Sequence, residues 1–200
     1  AEAEAGLARL RQVVDAMPEG ILLADADGYV YLHNAAAAQI MGRVPVNVLR
    51  NGSDALEVRR LDGAACAPEE QPLARAILGH EEVRGEQLVV TNAVTGREVP
   101  ILVNSVPLSD TSDAGAGGVA VFQDITQIKD AEQLKDEFLS LVSHELRTPL
   151  TTIQGGSQLL LQAGASLDGE TRHEILTDMA NETRRLATLI ENMVQLANIR

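Results

Sequence analysis

The sequence contains one cysteine, two tyrosines, two phenylalanines and no tryptophan in 200 residues. Because Cys66 is alone, an intrachain disulfide and a cysteine-based zinc cluster are excluded, which is typical of proteins kept in a reducing compartment. No apolar run approaches the roughly 18 residues of a membrane span, and no basic segment precedes an apolar one as in a signal peptide. The scarcity of aromatic side chains also argues against a platform on which nucleic-acid bases could stack.

Basic residues are scarce too, since 16 Lys and Arg oppose 29 Asp and Glu for a formal net charge of -13. Acids outnumber bases on both sides of residue 128, so neither half favours binding nucleic acid or an anionic membrane. What is abundant is apolar: 45% hydrophobic residues beside 22% charged ones can form packed cores. We therefore expect folded domains, a cytoplasmic location, no nucleic-acid partner and no membrane segment within these residues.

The first part of the sequence predicts strands mixed with helices. Two apolar runs in residues 20–33 flank the pair Asp27-Gly28, which is a strong signal for a β-hairpin. Asn34 follows the hairpin and is placed to cap an Ala-rich helix that Gly42 ends.

Further signals in this part complete an α+β pattern. Residues 43–67 show little periodicity and predict loops and short turns, whereas Pro68 and two following acids predict a helix that stops at Gly79. Three runs typical of strands come next, and a loop at 110–118 separates the last two. These runs are residues 83–92, 97–108 and 117–124. We predict a five-stranded antiparallel sheet with helices packed on one face.

The second part shows only helical periodicity, in residues 124–162 and again in 170–199. In the later segment apolar residues recur at alternating spacings of four and three residues, and Glu182 occupies one of these positions. Residues with this spacing form an apolar seam along one side of a helix, which needs a partner helix. Since the connector is short, we predict an antiparallel all-α hairpin. A lone hairpin exposes much of its apolar stripe, so we expect two copies to form a four-helix bundle. That bundle should be loosest at Glu182 and at Gly155-Gly156.

Residues 143–150, with the sequence SHELRTPL, carry the chemistry. The apolar phase is kept on both sides of Pro149, which predicts one helix that bends where the ring crowds the carbonyl of Glu145. The alternative is that Thr148 caps a new helix beginning at Pro149. A neutral imidazole at His144 offers a lone pair as nucleophile, and a carboxylate can take the proton of its other nitrogen. From spacing alone, an exposed His and Glu on a helix surface is the more common explanation of the pair.

The segment SHELRTPL, preceded by KDEFLSLV, closely resembles the phospho-acceptor box of two-component sensor histidine kinases, whose pattern is H-E-x-x-T-P. Residues 128–200 resemble the whole dimerisation and histidine-phosphotransfer domain of that family. The resemblance implies that His144 accepts the γ-phosphoryl group of ATP and that Glu145 assists as general acid/base. It implies that Thr148 orients water when the domain dephosphorylates its response regulator. The expected protein is a homodimeric protein-histidine kinase that passes phosphate to an Asp of a response-regulator receiver domain.

The resemblance also implies parts that these residues do not contain. No Asn-rich box is present, and the string D-x-G-x-G occurs at residues 113–117 in the predicted loop at 110–118, between two strands of the first part, so we expect nothing here to hold ATP and its Mg. We expect a separate ATP-binding catalytic domain of the parent kinase to supply both, and the chain alone to be inactive without it. We predict no cofactor-binding and no metal-binding residue within these 200.

Residues 7–128 resemble a PAS sensor domain by layout. The matching features are the ADADG hairpin, the helix opened by Asn34, the PEEQPLARAILG helix and the closing strand VAVFQDIT. In PAS proteins such a D-I-T end leads into an outgoing coiled helix. We accordingly divide the chain into a flanking helix at 1–19, a PAS domain at 20–126 and the phosphotransfer hairpin at 127–200.

The sequence leaves the ligand of the PAS domain unknown. A haem needs an axial ligand, and His33 and His80 are the candidates in this part. A photochemical flavin adduct needs a cysteine in a setting that Cys66 lacks, so we interpret Cys66 as a small core thiol and His173 as a surface residue.

Two alternatives stay open. One is a non-catalytic PAS and coiled-coil scaffold in which the helices only dimerise and relay. The H-E-x-x-T-P run counts against it, since a scaffold has no use for a helix-interior proline beside an exposed histidine. The other is a phosphorelay or phosphatase-type variant that takes phosphate without using ATP directly.

Overall fold

A computed structural model describes residues 2–50, 56–108, 117–163 and 165–197. The chain divides into two compact units, residues 1–130 and 131–200. Residues 110–116 of the predicted loop at 110–118, and residues 51–55 of the predicted loops at 43–67, lie outside the described residues.

The first unit is built on an antiparallel sheet. Its strands are β1 (Gly20–Ala24), β2 (Val30–His33), β3 (Val58–Arg60), β4 (Val83–Thr91), β5 (Glu98–Leu108) and β6 (Gly117–Asp124). They lie in the order β2-β1-β6-β5-β4-β3. The predicted antiparallel sheet and its hairpin are confirmed, with one strand more than the five expected.

The additional strand is β3, which lies in the stretch predicted as loops and turns. Its residues pair with β4 from Val58 opposite Val90 to Arg60 opposite Leu88. Val58 is buried, whereas Arg59 and Arg60 are exposed. Because three residues are too few to show a period of two, pairing with a longer neighbour is what defines this strand.

The helices of this unit are α1 (Glu2–Ala16), α2 (Ala35–Met41) and α3 (Pro72–Gly79). The predicted helix start at Pro68 is wrong, since Pro68–Glu70 form a 3-10 turn and α3 begins at Pro72. Gln71 between them is extended, with φ -67 and ψ 145, because a residue that precedes proline is disfavoured in the α conformation. Gly79 is the last helical residue, as predicted.

Helix α3 contacts β5 and β6 and buries Leu73 and Ile77 against the sheet. A Cβ atom at Gly118 of β6 would lie 2.9 Å from Leu73 Cδ1 and 3.0 Å from Ile77 Cγ1. A larger residue at Gly118 would therefore have to displace these two side chains, and the core is formed by the sheet together with α2 and α3.

A buried asparagine holds the first turn of α2. Asn34, 1% exposed, accepts hydrogen bonds at Oδ1 from the N–H groups of Ile21 (2.9 Å) and Ala37 (3.0 Å). Its Nδ2 donates to the carbonyls of Val14 (3.0 Å) and Glu19 (2.8 Å). The residue predicted as a helix cap thus also ties the end of α1 to the start of β1.

A second asparagine holds the last turn of α2. Asn92, 7% exposed, donates from Nδ2 to the carbonyls of Gln39 (2.9 Å) and Ile40 (3.0 Å). Its Oδ1 accepts from the N–H groups of Val94 (3.1 Å) and Thr95 (3.0 Å). The N-cap residue Asn34 therefore satisfies one end of this seven-residue helix, and Asn92, which is distant in sequence, satisfies the other.

The second unit consists of α4 (Thr126–Ala163), which begins in the first unit, and α5 (Gly169–Ala197). Gly156 of α4 lies near Met179, whereas the earlier Glu145 lies near the later Arg185, so the helices run antiparallel. This confirms the predicted helical hairpin. In the described ranges, no helix has the length and apolar character needed to cross a membrane.

The two helices meet along a seam of partly or fully buried positions with steps of three and four. These are 142, 146, 149, 153, 156 and 160 on α4, and 175, 179, 182, 186, 189 and 193 on α5. The predicted spacing of α5, including Glu182 in its place, is confirmed.

The glycine pair does not behave as one loose point. A Cβ at Gly156 would lie 2.9 Å from both Cγ and Sδ of Met179 and 3.1 Å from Cγ2 of Ile175, whereas Gly155 has nothing within 4 Å. Looseness at Gly156 is therefore a wrong prediction, because its missing side chain lets the helices approach closely. Glu182 differs, since its Oε2 is buried without a hydrogen-bond partner among the residues described.

Replacing Asn34 by alanine should lower the free energy of unfolding by about 2–4 kcal/mol, because a cap is lost and buried backbone groups lose their partners. Urea denaturation of the chain measures this loss. Asn181→Ala, at an exposed position of α5, is the control and should cause no such loss. Equal stability of Asn34→Ala and the wild type would contradict the anchoring role.

The adjacent glycines should respond differently to alanine. Gly155→Ala should stabilise the hairpin by about 0.5–1 kcal/mol, because alanine favours the helix and has open space. Gly156→Ala gains the same propensity but must displace Met179, so we expect no net gain. Thermal unfolding of both variants measures the difference, and equal gains would disprove the close approach at Gly156.

Candidate functional site

The segment SHELRTPL lies in the middle of α4, which continues without a break through Pro149. The alternative in which Thr148 caps a new helix is therefore wrong. Pro149 has no N–H to donate to the carbonyl of Glu145, and an interior proline costs roughly 3 kcal/mol. Its side chain is less than 2% exposed and occupies a seam position. Burial of the ring offsets part of that cost and explains why the helix tolerates it.

The seam also determines where His144 points. His144 lies two residues from each of the seam positions Val142 and Leu146, which is about 200° of rotation on a helix. Its side chain is accordingly exposed. Glu145 is rotated by about 100° from His144, and Thr148 lies one turn further along. Both are also exposed, so the three predicted site residues are accessible from solvent.

The backbone around His144 is held by hydroxyl groups as well as by the helical ladder. Ser143 Oγ donates to the carbonyl of Leu139 at 2.8 Å, one turn before the site. Thr151 Oγ1 donates to the carbonyl of Arg147 at 2.8 Å. Hydroxyls that bond four residues back tend to bend a helix slightly. Thr177, Thr183 and Thr188 make the same bond on α5, so it is common to both helices.

One residue of the site comes from the other helix, and the sequence analysis did not find it. Arg185 Nη2 of α5 lies 3.6 Å from Glu145 Oε2, and the side chains are 60% and 47% exposed. Arg185 precedes the seam residue Leu186, so the pattern places it beside the seam. Which residue of α4 it faces depends on the register of the hairpin, for which the periodicity carries no signal.

The PAS unit contains a small apolar cavity of about 50 Å³, lined among others by Leu22, Val90 and Phe122. This space suffices for one or a few water molecules. The two haem candidates do not line it, and both His33 and His80 are exposed.

The other two residues considered in the sequence analysis, Cys66 and His173, do not line that cavity. Cys66 is 6% exposed, and burial raises the pKa of its thiol, which keeps it protonated and unreactive. His173 is exposed, as predicted.

The D-I-T sequence fixes the first turn of α4 to the sheet. Asp124 Oδ1 accepts from the N–H of Thr126 at 2.8 Å. Ile125 is 3% exposed, and its N–H donates to the carbonyl of Pro100 in β5 at 2.9 Å. The carbonyl of Ile125 then accepts from the N–H of Lys129 at 2.9 Å, within the helix. The start of α4 is therefore part of the packing of the first unit.

Two family models match the chain. The PAS fold model covers residues 14–130, and the model of the His Kinase A (phospho-acceptor) domain covers residues 134–200. The chain belongs to the PAS family and carries a histidine-kinase phospho-acceptor domain. These matches confirm the two domains assigned from the sequence, a PAS fold followed by a phospho-acceptor domain.

Among the most similar curated relatives are two proteins named sensor protein kinase WalK. The one from Staphylococcus saprophyticus is 29% identical over 199 residues, and the one from Staphylococcus epidermidis is 28% identical. Each alignment covers 100% of this chain and 30% of the relative, so the chain spans about a third of their length. The PAS domain of an HTR-like protein from Haloarcula marismortui is 15% identical, covers 62% of this chain and 95% of that one, and has a TM-score of 0.43.

Proposed function

We propose that His144 is the residue that receives the γ-phosphoryl group of ATP and passes it to an Asp of a response-regulator receiver domain. The observation that carries the proposal is the exposure of His144 on the face of α4 turned away from the seam. An exposed imidazole at this place can be reached in turn by a catalytic domain and by a receiver domain. The match of residues 134–200 to the phospho-acceptor model supports the same role.

The reaction follows from the residues at hand. The lone pair of a neutral His144 nitrogen attacks the γ-phosphorus, an N–P bond forms, and the bond from that phosphorus to the bridging oxygen of ADP breaks. The other ring nitrogen carries a proton, and the carboxylate of Glu145 accepts its hydrogen bond and takes the proton as the ring becomes positive.

ATP and Mg are assigned in this proposal to the catalytic domain of the parent kinase. Among the described residues, no three His, Cys, Asp or Glu side chains cluster as metal ligands. The proposal therefore assigns to this chain only the chemistry of its own side chains. Because ATP and receiver domains belong to the interior of the cell, the proposal places both units of this chain in the cytoplasm.

Thr148 has a second role in the proposal. It lies one turn beyond His144 on α4 and is exposed. Its hydroxyl can hold a water molecule by both donating and accepting a hydrogen bond. We assign it the orientation of the water that attacks the phosphorus of the response regulator's phospho-Asp, a separate reaction that breaks the bond between phosphorus and the Asp oxygen and releases inorganic phosphate.

A homodimer completes the proposed unit. On α5 a second line of exposed positions runs beside the seam with steps of four and three. It comprises Leu176, Ala180, Thr183, Ala187, Ile190 and Val194. On α4 the exposed Leu134, Phe138 and Leu141 have the same spacing. Stripes of this kind lose their contact with water when a second copy packs on them, which gives a four-helix bundle.

His144→Gln in the full-length parent protein should abolish acid-labile labelling from γ-labelled ATP, because glutamine has no nucleophilic ring nitrogen. His173→Gln is the matched control, since His173 is an exposed histidine of the same unit, and should be labelled like the wild type. Incorporation of labelled phosphate, stable in base and lost in acid, is the measurement. Equal labelling of His144→Gln and the wild type would show that the acceptor lies elsewhere.

The chain itself should be a dimer in solution, as measured by light scattering during size-exclusion chromatography. Replacing both Phe138 and Leu141 by lysine should shift it toward monomer, because two charges would be buried in the interface without partners. Ser140→Lys, at an exposed neighbouring position, should leave the mass unchanged. A monomeric wild type, or a double variant that stays dimeric, would count against this interface.

A further inference from the structure

The phospho-acceptor face of α4 has a cationic neighbour from α5. Arg185 Nη2 lies 3.6 Å from Glu145 Oε2, which is slightly longer than a good hydrogen bond and within the range of an ion pair. Arg184, the preceding residue, is also exposed. The hairpin thus brings one of two adjacent arginines to the carboxylate that neighbours His144.

This ion pair contributes little to the stability of the fold. Both side chains are about half exposed or more, at 60% and 47%, and pairs of this kind typically contribute 0–1 kcal/mol. Pro149 and Gly156, which lie on the seam, determine the packing of the hairpin. A role for the pair therefore has to be sought in the chemistry of the face on which it lies.

Orientation is what the carboxylate of Glu145 needs. Its position is rotated by about 100° from His144, and an exposed glutamate samples several rotamers, of which few bring an oxygen to the imidazole. A base contributes only from within hydrogen-bond reach of the proton that it takes, directly or through one water. A guanidinium that attracts the carboxylate reduces the number of rotamers that Glu145 samples. This matters because misplacement of a reacting group lowers the reaction rate.

We propose that Arg185 is a positioning residue that holds the carboxylate of Glu145 in place for the chemistry at His144. The inference rests on the proposed function, since it assigns to Arg185 an effect on phosphorylation exerted through Glu145. Arg185 itself donates no proton and touches no reacting atom in this scheme. Because the separation of 3.6 Å is that of an ion pair, Arg185 restricts the positions of the Glu145 carboxylate without locking it in one hydrogen-bonded geometry.

The test is a double-mutant cycle in the full-length parent protein with ATP. Arg185→Gln should lower kcat of His144 labelling by about fivefold and leave KM for ATP unchanged, because ground-state binding does not involve the pair. Arg185→Lys should recover part of the rate, and Arg184→Gln should match the wild type. In a Glu145→Gln background, Arg185→Gln should cause no further loss, since the residue through which it acts is already altered.

Several results would overturn the proposal. If Arg185→Gln lowers kcat by the same factor in the wild type and in the Glu145→Gln background, its effect is independent of Glu145. If Arg184→Gln lowers kcat as much as Arg185→Gln does, the effect is a general one of charge. If both Arg185→Gln and Arg185→Lys lower the melting temperature, and their losses of kcat follow these losses of stability, Arg185 has a structural role. Absence of labelling at His144 in the wild type is a different outcome, which refutes the proposed function itself.

Discussion

The rotation of α4 about its own axis is determined by the seam that it shares with α5. Two unusual residues define that seam: Pro149, whose ring is buried, and Gly156, whose missing side chain admits Met179 and Ile175. Because these positions face α5, the helical periodicity places His144 on the opposite side of α4, where it is exposed to solvent. The same constraint brings Arg185 to Glu145, so the accessibility and the electrostatic surroundings of the phospho-acceptor face have one origin.

The first unit depends in a similar way on two buried polar side chains, which satisfy backbone groups at the ends of α2. Asn34 and Asn92 between them make eight hydrogen bonds at the two ends of α2, and five of the eight join segments that are distant in sequence. Ile125 is buried and bonded to Pro100, which makes the first turn of α4 a continuation of the packed core. A structural change in the sheet therefore acts directly on the residues that begin this helix.

The parts predictable from sequence are those governed by local patterns. The Asp27-Gly28 hairpin, the cap at Asn34, the longer strands and the helical periods each leave a signature within a dozen residues. The three-residue β3 leaves none, and the pattern at Pro68 predicts a helix start four residues before α3 begins at Pro72. The proposed role of His144 rests on a motif, whereas the neighbourhood of Arg185 and the different surroundings of Gly155 and Gly156 depend on the hairpin register. Register arises from packing between distant residues, which a one-dimensional pattern does not contain.

One feature of the seam bears on how stiff the hairpin is. Glu182 occupies a place where a leucine would fit the period, and one of its oxygens is buried without a compensating bond among the described residues. A buried polar atom of this kind lowers the free energy required to part the helices locally. Glu182 lies one turn from Arg185 on the same helix. Any local separation of the two helices at Glu182 would consequently lie one turn from the arginine of the ion pair.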